Sequence, residues 1–144
     1  MKFARTNIAD HDVENQIQLH LGNGCEPFLA QSQQFDGIVS NPPYIREDEL
    51  GSLAPEVAQH ESELALVSGE DGLNMVRQLA QTAPQILRPG GWIALEVDPA
   101  QCPKVNSILT LHGFIDITVH KDLSMNDRVV AARTPDRQQA KDST

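Results

Sequence analysis

Aromatic residues are scarce: one Trp, one Tyr and four Phe in 144 residues, 4% of the chain. A protein that works by stacking nucleic-acid bases needs more flat side chains than that. Basic residues are also few. Eleven Lys and Arg stand against 20 Asp and Glu, for a net charge of −9, and they are scattered singly. A duplex binder carries a basic stripe; this chain shows none, so direct nucleic-acid binding is not expected. Cys25 and Cys102 are the only cysteines and lie far apart. That excludes a disulfide framework and reads as two reduced thiols inside a cell. The five histidines (His11, His20, His60, His112, His120) have no metal-ligand spacing, so no metal is expected. No apolar run is long enough to cross a bilayer. Asp10, Asp12 and Glu14 come too early for an acid-poor presequence, which favours a cytoplasmic protein. Before residue 41 the only glycines are Gly22, Gly24 and Gly37. Their spacing makes no nucleotide-binding fingerprint.

What remains is ordinary for a soluble globular domain: 40% hydrophobic and 22% charged residues, short enough for one domain at most. Residues 3–14 read as the end of a helix. Residues 17–21 alternate apolar and polar and predict a strand, stopped by Gly22-Asn23-Gly24. Phe35-Asp36-Gly37-Ile38-Val39-Ser40 predicts a second, buried strand. Residues 45–70 form a long polar connection of the kind that is often functional, with a short ordered piece expected around 61–67. Residues 71–87 carry the clearest helical pattern, with Leu73, Val76, Leu79, Ala80, Ala83 and Leu87 on one face and Pro84 kinking its last turn. Pro89-Gly90-Gly91 predicts a turn. Residues 92–97 predict a strand buried on both faces apart from its end. A helix at about 101–112, closed by Gly113, and strands at 114–120 and 127–133 complete an α/β pattern with a terminal antiparallel pair. The stretch from Pro135 is polar and expected to fray.

The segment with chemical content is Asn41-Pro42-Pro43-Tyr44, directly after the second strand. In open α/β sheets ligands bind at the carboxyl ends of strands. Asn41 offers a side-chain carbonyl acceptor, and as a residue before proline it is held extended. Pro42 offers a backbone carbonyl. Both prolines fix φ and bring no N–H, so the loop presents acceptors without competing donors. Tyr44 offers a flat face. Such a loop suits a planar nitrogen bearing two N–H groups, an amide or an aryl amine, whose delocalised lone pair must be aimed to react. It resembles the signature loop of methyltransferases that alkylate such nitrogens. The alternative reading of the residues alone is a Pro-Pro turn after a strand.

Four stretches carry a wider resemblance: FDGIVSNPPYI at 35–45, LAPEVAQHESELALVSGEDGL at 53–73, LRPGGWIALEVDPAQ at 87–101 and HGFIDITVHKDLSMNDRVVAAR at 112–133. Over about residues 3–134 the chain resembles the carboxyl-terminal part of the protein-glutamine methyltransferases that act on peptide-chain release factors, the HemK/PrmC family. The resemblance implies a Rossmann-like class I methyltransferase sheet. It implies S-adenosylmethionine as donor and transfer to the N5 of the glutamine in a release factor's Gly-Gly-Gln motif. Asn41 and the Pro42 carbonyl would hold the amide, and Pro43 and Tyr44 would shape its slot. Asn23 stands where the family has an acidic residue near the donor's adenine, and Asn41 would also adjoin the donor. Glu96 and Asp98 are lent to the floor of the site; strand-end and turn contacts explain them equally well.

By the same resemblance residues 1–134 are a partial catalytic domain and 135–144 a polar tail. The family's helical domain, its first two strands and its glycine-rich donor loop fall outside this chain. In the family's strand order, 3-2-1-4-5-7-6, those strands lie between 17–21 and 35–40. The sheet therefore has a hole, or the two strands re-pair, or the first thirty residues are poorly fixed, and an uncovered sheet edge invites association. Other functions remain open: methylation of a glutamine in a ribosomal protein, adenine-N6 methylation of nucleic acid, or a release-factor-binding module without chemistry. The wording LAPEV…LEVDP also resembles organellar members, which leaves a mitochondrial setting open.

Overall fold

A computed structural model of the chain describes residues 1–48 and 67–136. Strands β1 (Phe35–Ser40), β2 (Leu87–Glu96), β3 (Ile115–Lys121) and β4 (Asp127–Arg133) form one sheet in the order β1-β2-β4-β3. β1 and β2 are parallel. β4 runs antiparallel to both β2 and β3 and sits between them. The α/β expectation and the terminal antiparallel pair are both met.

Helix α2 (Asn74–Ile86) makes the crossover from β1 to β2. It buries Val76, Leu79, Ala80, Ala83 and Ile86; it is shorter than the expected 71–87, since Leu73 is its N-cap and Leu87 already begins β2. Burial of each large aliphatic side chain is worth about 1.5–3 kcal/mol. Its first N–H groups are satisfied locally: the Ser68 carbonyl accepts from Asn74 N, and Ser68 Oγ accepts from Met75 N at 2.8 Å. Pro84 sits inside the helix. Helix α3 (Cys102–Leu111) buries Cys102, Val105 and Leu109. It ends as expected at Gly113, whose φ is +80°. Gly113 N bonds the Thr110 carbonyl and Phe114 N the Leu109 carbonyl, the pair of bonds that closes a helix on a left-handed glycine.

Several expectations need correction. The strand expected at 17–21 does not form. Ile17 and Leu21 are exposed, because alternation stabilises a strand only when a neighbour supplies the ladder. β1 is therefore an edge strand, bonded to β2 on one side among the described residues. Helix α1 (Lys2–Asp10) stops short of residue 14 and buries none of its residues; Asp12, at φ +54°, breaks it. β2 is not buried on both faces. Ile93, Leu95 and Val97 are buried, whereas Trp92 is 39% exposed and Ala94 and Glu96 are half-buried. Both long helices pack on the same face. The Pro89-Gly90-Gly91 turn survives as an interruption within β2: pairing jumps from Phe35–Leu87 to Gly37–Trp92. The ordered piece expected at 61–67 and the tail from Pro135 lie mostly outside the described residues.

Candidate active site

Parallel pairing puts Ser40 beside Leu95, so β1 and β2 deliver their following residues to one end of the sheet. Asn41-Pro42-Pro43-Tyr44 leaves β1 there. Pro42 is buried, Pro43 and Tyr44 are half-buried, and Asn41 is exposed. Among the described residues the Asn41 side chain makes no hydrogen bond and the Tyr44 ring has no ring partner. Asn41 thus keeps its side-chain amide free for a ligand among the described residues.

The far side of the loop is fastened. Ile45 bridges Val67 in parallel, Ser68 N donates to the Ile45 carbonyl and Glu47 N to the Gly69 carbonyl. Gln101 Nε2 donates to the Tyr44 carbonyl at 3.0 Å and to the Asp71 carbonyl at 3.2 Å. Gly72, at φ +72°, lies against the same carbonyl. A Cβ there would fall on the Tyr44 oxygen, far inside contact distance, and 2.6 Å from Gln101 Nε2. Sequence reasoning passed over Ser68, Gly72 and Gln101. The run Ser68-Gly69-Glu70-Asp71-Gly72 ahead of a helix was the available signal for the first two.

Beside Tyr44 opens a cleft of about 570 Å³, lined by Ile45, Arg46, Glu70, Asp71, Asp98, Gln101 and Lys104 among others. Its size falls within the range of ligand sites. Arg77 pairs with Asp71 at 2.6 Å and holds its carboxyl down to about 2. Asp98 accepts from Ala100 N at 2.8 Å and caps the short helical turn Pro99–Gln101, so its turn reading holds. Glu96 ends β2 opposite Val129 and makes no hydrogen bond or ion pair among the described residues. The β3–β4 turn reaches the same end. Asp122 Oδ1 accepts from Ser124 N and Asn126 N, and Arg128 reaches both Asp122 and the Val97 carbonyl.

Asn23 shares no hydrogen bond with the signature loop among the described residues. It is exposed and donates to Gln78 Oε1 at 3.3 Å. Its neighbour Gly24 lines a groove of about 190 Å³ along β1, with Cys25, Phe28, Ile38, Val39 and Ser40. The groove is apolar and no charged residue lines it.

Comparison with known proteins shows what the chain is similar to. A release factor glutamine methyltransferase from Synechocystis is 42% identical over 93% of this chain and 45% of that protein. The one from Clostridium acetobutylicum is 37% identical over 92% and 46%, and that from Cereibacter sphaeroides 42% identical over 94% and 48%. This chain is a relative of the release factor glutamine methyltransferases. It spans about half the length of the curated relatives it matches. No family model matches it. The fold is likewise that of class I methyltransferases. A methyltransferase from Pyrococcus furiosus superposes with a TM-score of 0.65 at 19% identity, covering 93% of this chain and 57% of that one. The S-adenosylmethionine-dependent methyltransferase SibL gives 0.54 at 15% identity, covering 93% and 40%.

Proposed function

We propose that this chain is the acceptor-holding part of a methyltransferase that modifies a release factor's glutamine at N5, with S-adenosylmethionine as donor. The observation that carries the reading is Asn41: exposed, unpartnered among the described residues and placed at the carboxyl end of β1. Its side-chain carbonyl and the Pro42 carbonyl are acceptors for the two N–H groups of a primary amide. Holding both fixes the amide plane and aims the nitrogen. Tyr44 supplies a flat face for stacking on that plane. A glutamate carboxylate has no N–H to offer and meets two acceptors instead, so the slot selects the amide. This reading calls for a setting in which translation runs, the cytoplasm or the mitochondrion, since its acceptor is a translation factor.

The residues beside β1 do not fit the whole donor. S-adenosylmethionine carries a ribose, an ammonium and a carboxylate, and the groove at Gly24 and Val39 is small, apolar and without a charged lining residue. We therefore assign this chain the acceptor and assign none of its described residues to the remaining donor contacts. The edge of β1 that is unpaired among the described residues is the surface through which the isolated chain would associate.

The test is calorimetric titration with a Gly-Gly-Gln peptide, its Gly-Gly-Glu counterpart and S-adenosylmethionine. The reading expects the glutamine peptide to bind and the glutamate peptide to be rejected. Asn41→Ala should weaken binding about tenfold, as for one lost hydrogen bond. Equal binding of the two peptides would overturn it. Tight donor binding would overturn the division of labour alone. Preference for a ribosomal-protein glutamine peptide would move the function to that substrate.

A further inference from the structure

We propose that Gln101 is the positioning residue of the acceptor loop, holding Asn41 and the Pro42 carbonyl in place without touching the acceptor; this rests on the acceptor-binding reading above. Three facts carry it. Gln101 stands 57 residues from Tyr44 and 30 from Asp71, yet its amide nitrogen donates to the carbonyls of both. Its Oε1 accepts from Asp98 N at 3.3 Å, so the whole side-chain amide is engaged. Gly72 leaves room for this meeting, since any side chain there would occupy the place of the Tyr44 oxygen.

Helix capping does not account for the residue. In a capping box the third residue only accepts from the cap N–H, and Glu serves as well as Gln. The bond from Asp98 N to Oε1 is that contact. The two bonds from Nε2 lie outside it and require an amide. A carboxylate would face two carbonyl oxygens with no proton to share. The side chain therefore joins the carboxyl end of β2 to the signature loop and to the turn before α2.

The mechanical consequence follows from the prolines. β1 pairing fixes the loop at Ser40, and Gln101 fixes it at Tyr44. Between them only Asn41 and two residues of fixed φ remain. Releasing the Tyr44 pin moves the nearest anchor on to Ile45, which Val67 and Ser68 hold; the stretch carrying the Asn41 side chain and the Pro42 carbonyl is then less ordered, and binding must order it.

Tyr44 is the single tyrosine of the chain, so carbonyl-labelled tyrosine gives one carbon-13 signal at the atom in question. In Q101E the capping contact remains. The Tyr44 carbonyl signal should shift from its hydrogen-bonded position at neutral pH, and affinity for the Gly-Gly-Gln peptide should fall about tenfold. Below about pH 4 the introduced carboxyl protonates and regains one donor. Signal and affinity should then return part-way toward wild type at the same pH, a rescue that loss of folding would not produce. In wild type, both Gln101 side-chain amide protons should exchange with solvent more slowly than those of exposed Gln18, a measurement that stands even if Q101E unfolds. An unmoved carbonyl signal, ordinary amide exchange, or a moved signal with affinity within about twofold of wild type would each overturn the proposal. If the wild-type chain binds no glutamine peptide, the functional reading fails while the carbonyl signal still reports on the pin.

Discussion

Gly72→Ala isolates the closest approach in the site. Two costs are separable. The first is conformational: at φ +72° an L-residue sits in the left-handed region, at about 1–2 kcal/mol. The second is steric: the new methyl would overlap the Tyr44 carbonyl oxygen and press on Gln101, and overpacking of this kind costs about 1–3 kcal/mol. Gly113→Ala supplies the control. Its φ is +80°, and nothing lies within 4 Å of the added Cβ, so it carries the first cost alone. The entropy that alanine removes from the unfolded chain is common to both and cancels. Urea unfolding followed by the single tryptophan, Trp92, should show G113A losing about 1–2 kcal/mol and G72A about 2–5 kcal/mol. The difference between them is the steric term. Equal losses, within about 0.5 kcal/mol, would refute the argument that the Gly72 position is reserved for the Tyr44 carbonyl.

Asp71→Asn removes the partner that Arg77 grips. Since Arg77 holds the folded carboxyl down to about 2, its contribution is full above the unfolded value of about 4 and is lost as pH falls toward 2. The pair is part-exposed, so the variant should lose about 0.5–1 kcal/mol at neutral pH and converge on wild type in acid; a difference constant with pH would contradict the assignment. Burial pushes both the Cys25 and Cys102 thiols up, so a thiol reagent should label neither in the folded chain and both in urea, and rapid native labelling would show that these sites open. Val39→Lys places a charge on the β1 edge strand at an exposed position. It should leave stability within about 0.5 kcal/mol and raise the concentration at which the chain associates in sedimentation experiments; unchanged association would place the contact elsewhere.

The sequence was legible where short-range pattern and packing agree. The helical stripe through Val76, Leu79, Ala80 and Ala83 became the buried face of α2, and Gly113 closed α3. Asn41-Pro42-Pro43-Tyr44 fell at a strand end, because its chemistry is local and its prolines set their own geometry. Legibility failed where structure depends on a distant neighbour. Residues 17–21 alternate as a strand should, but no ladder reaches them. The apolar run at 92–97 looked buried on both faces, yet Trp92 and Ala94 face outward. Gln101 could not be singled out, because what sets it apart is its contact with Tyr44, 57 residues away. As sequence it is only the first residue of the helix expected at about 101–112.

This division predicts how the site responds to change. Asn41 is exposed and contacts no other described side chain through a hydrogen bond, so truncating it removes nothing the fold uses. Asn41→Ala should leave the urea midpoint almost unmoved, within about 0.5 kcal/mol, while weakening glutamine-peptide binding about tenfold. Gly72 and Gln101 hold the loop from behind, so their variants should lose stability and binding together. A plot of binding loss against stability loss then separates the residue that touches the acceptor from those that position it. If Asn41→Ala destabilised the chain as much as Gly72→Ala does, Asn41 would be a structural residue of the loop, and the acceptor would have to be held by other groups.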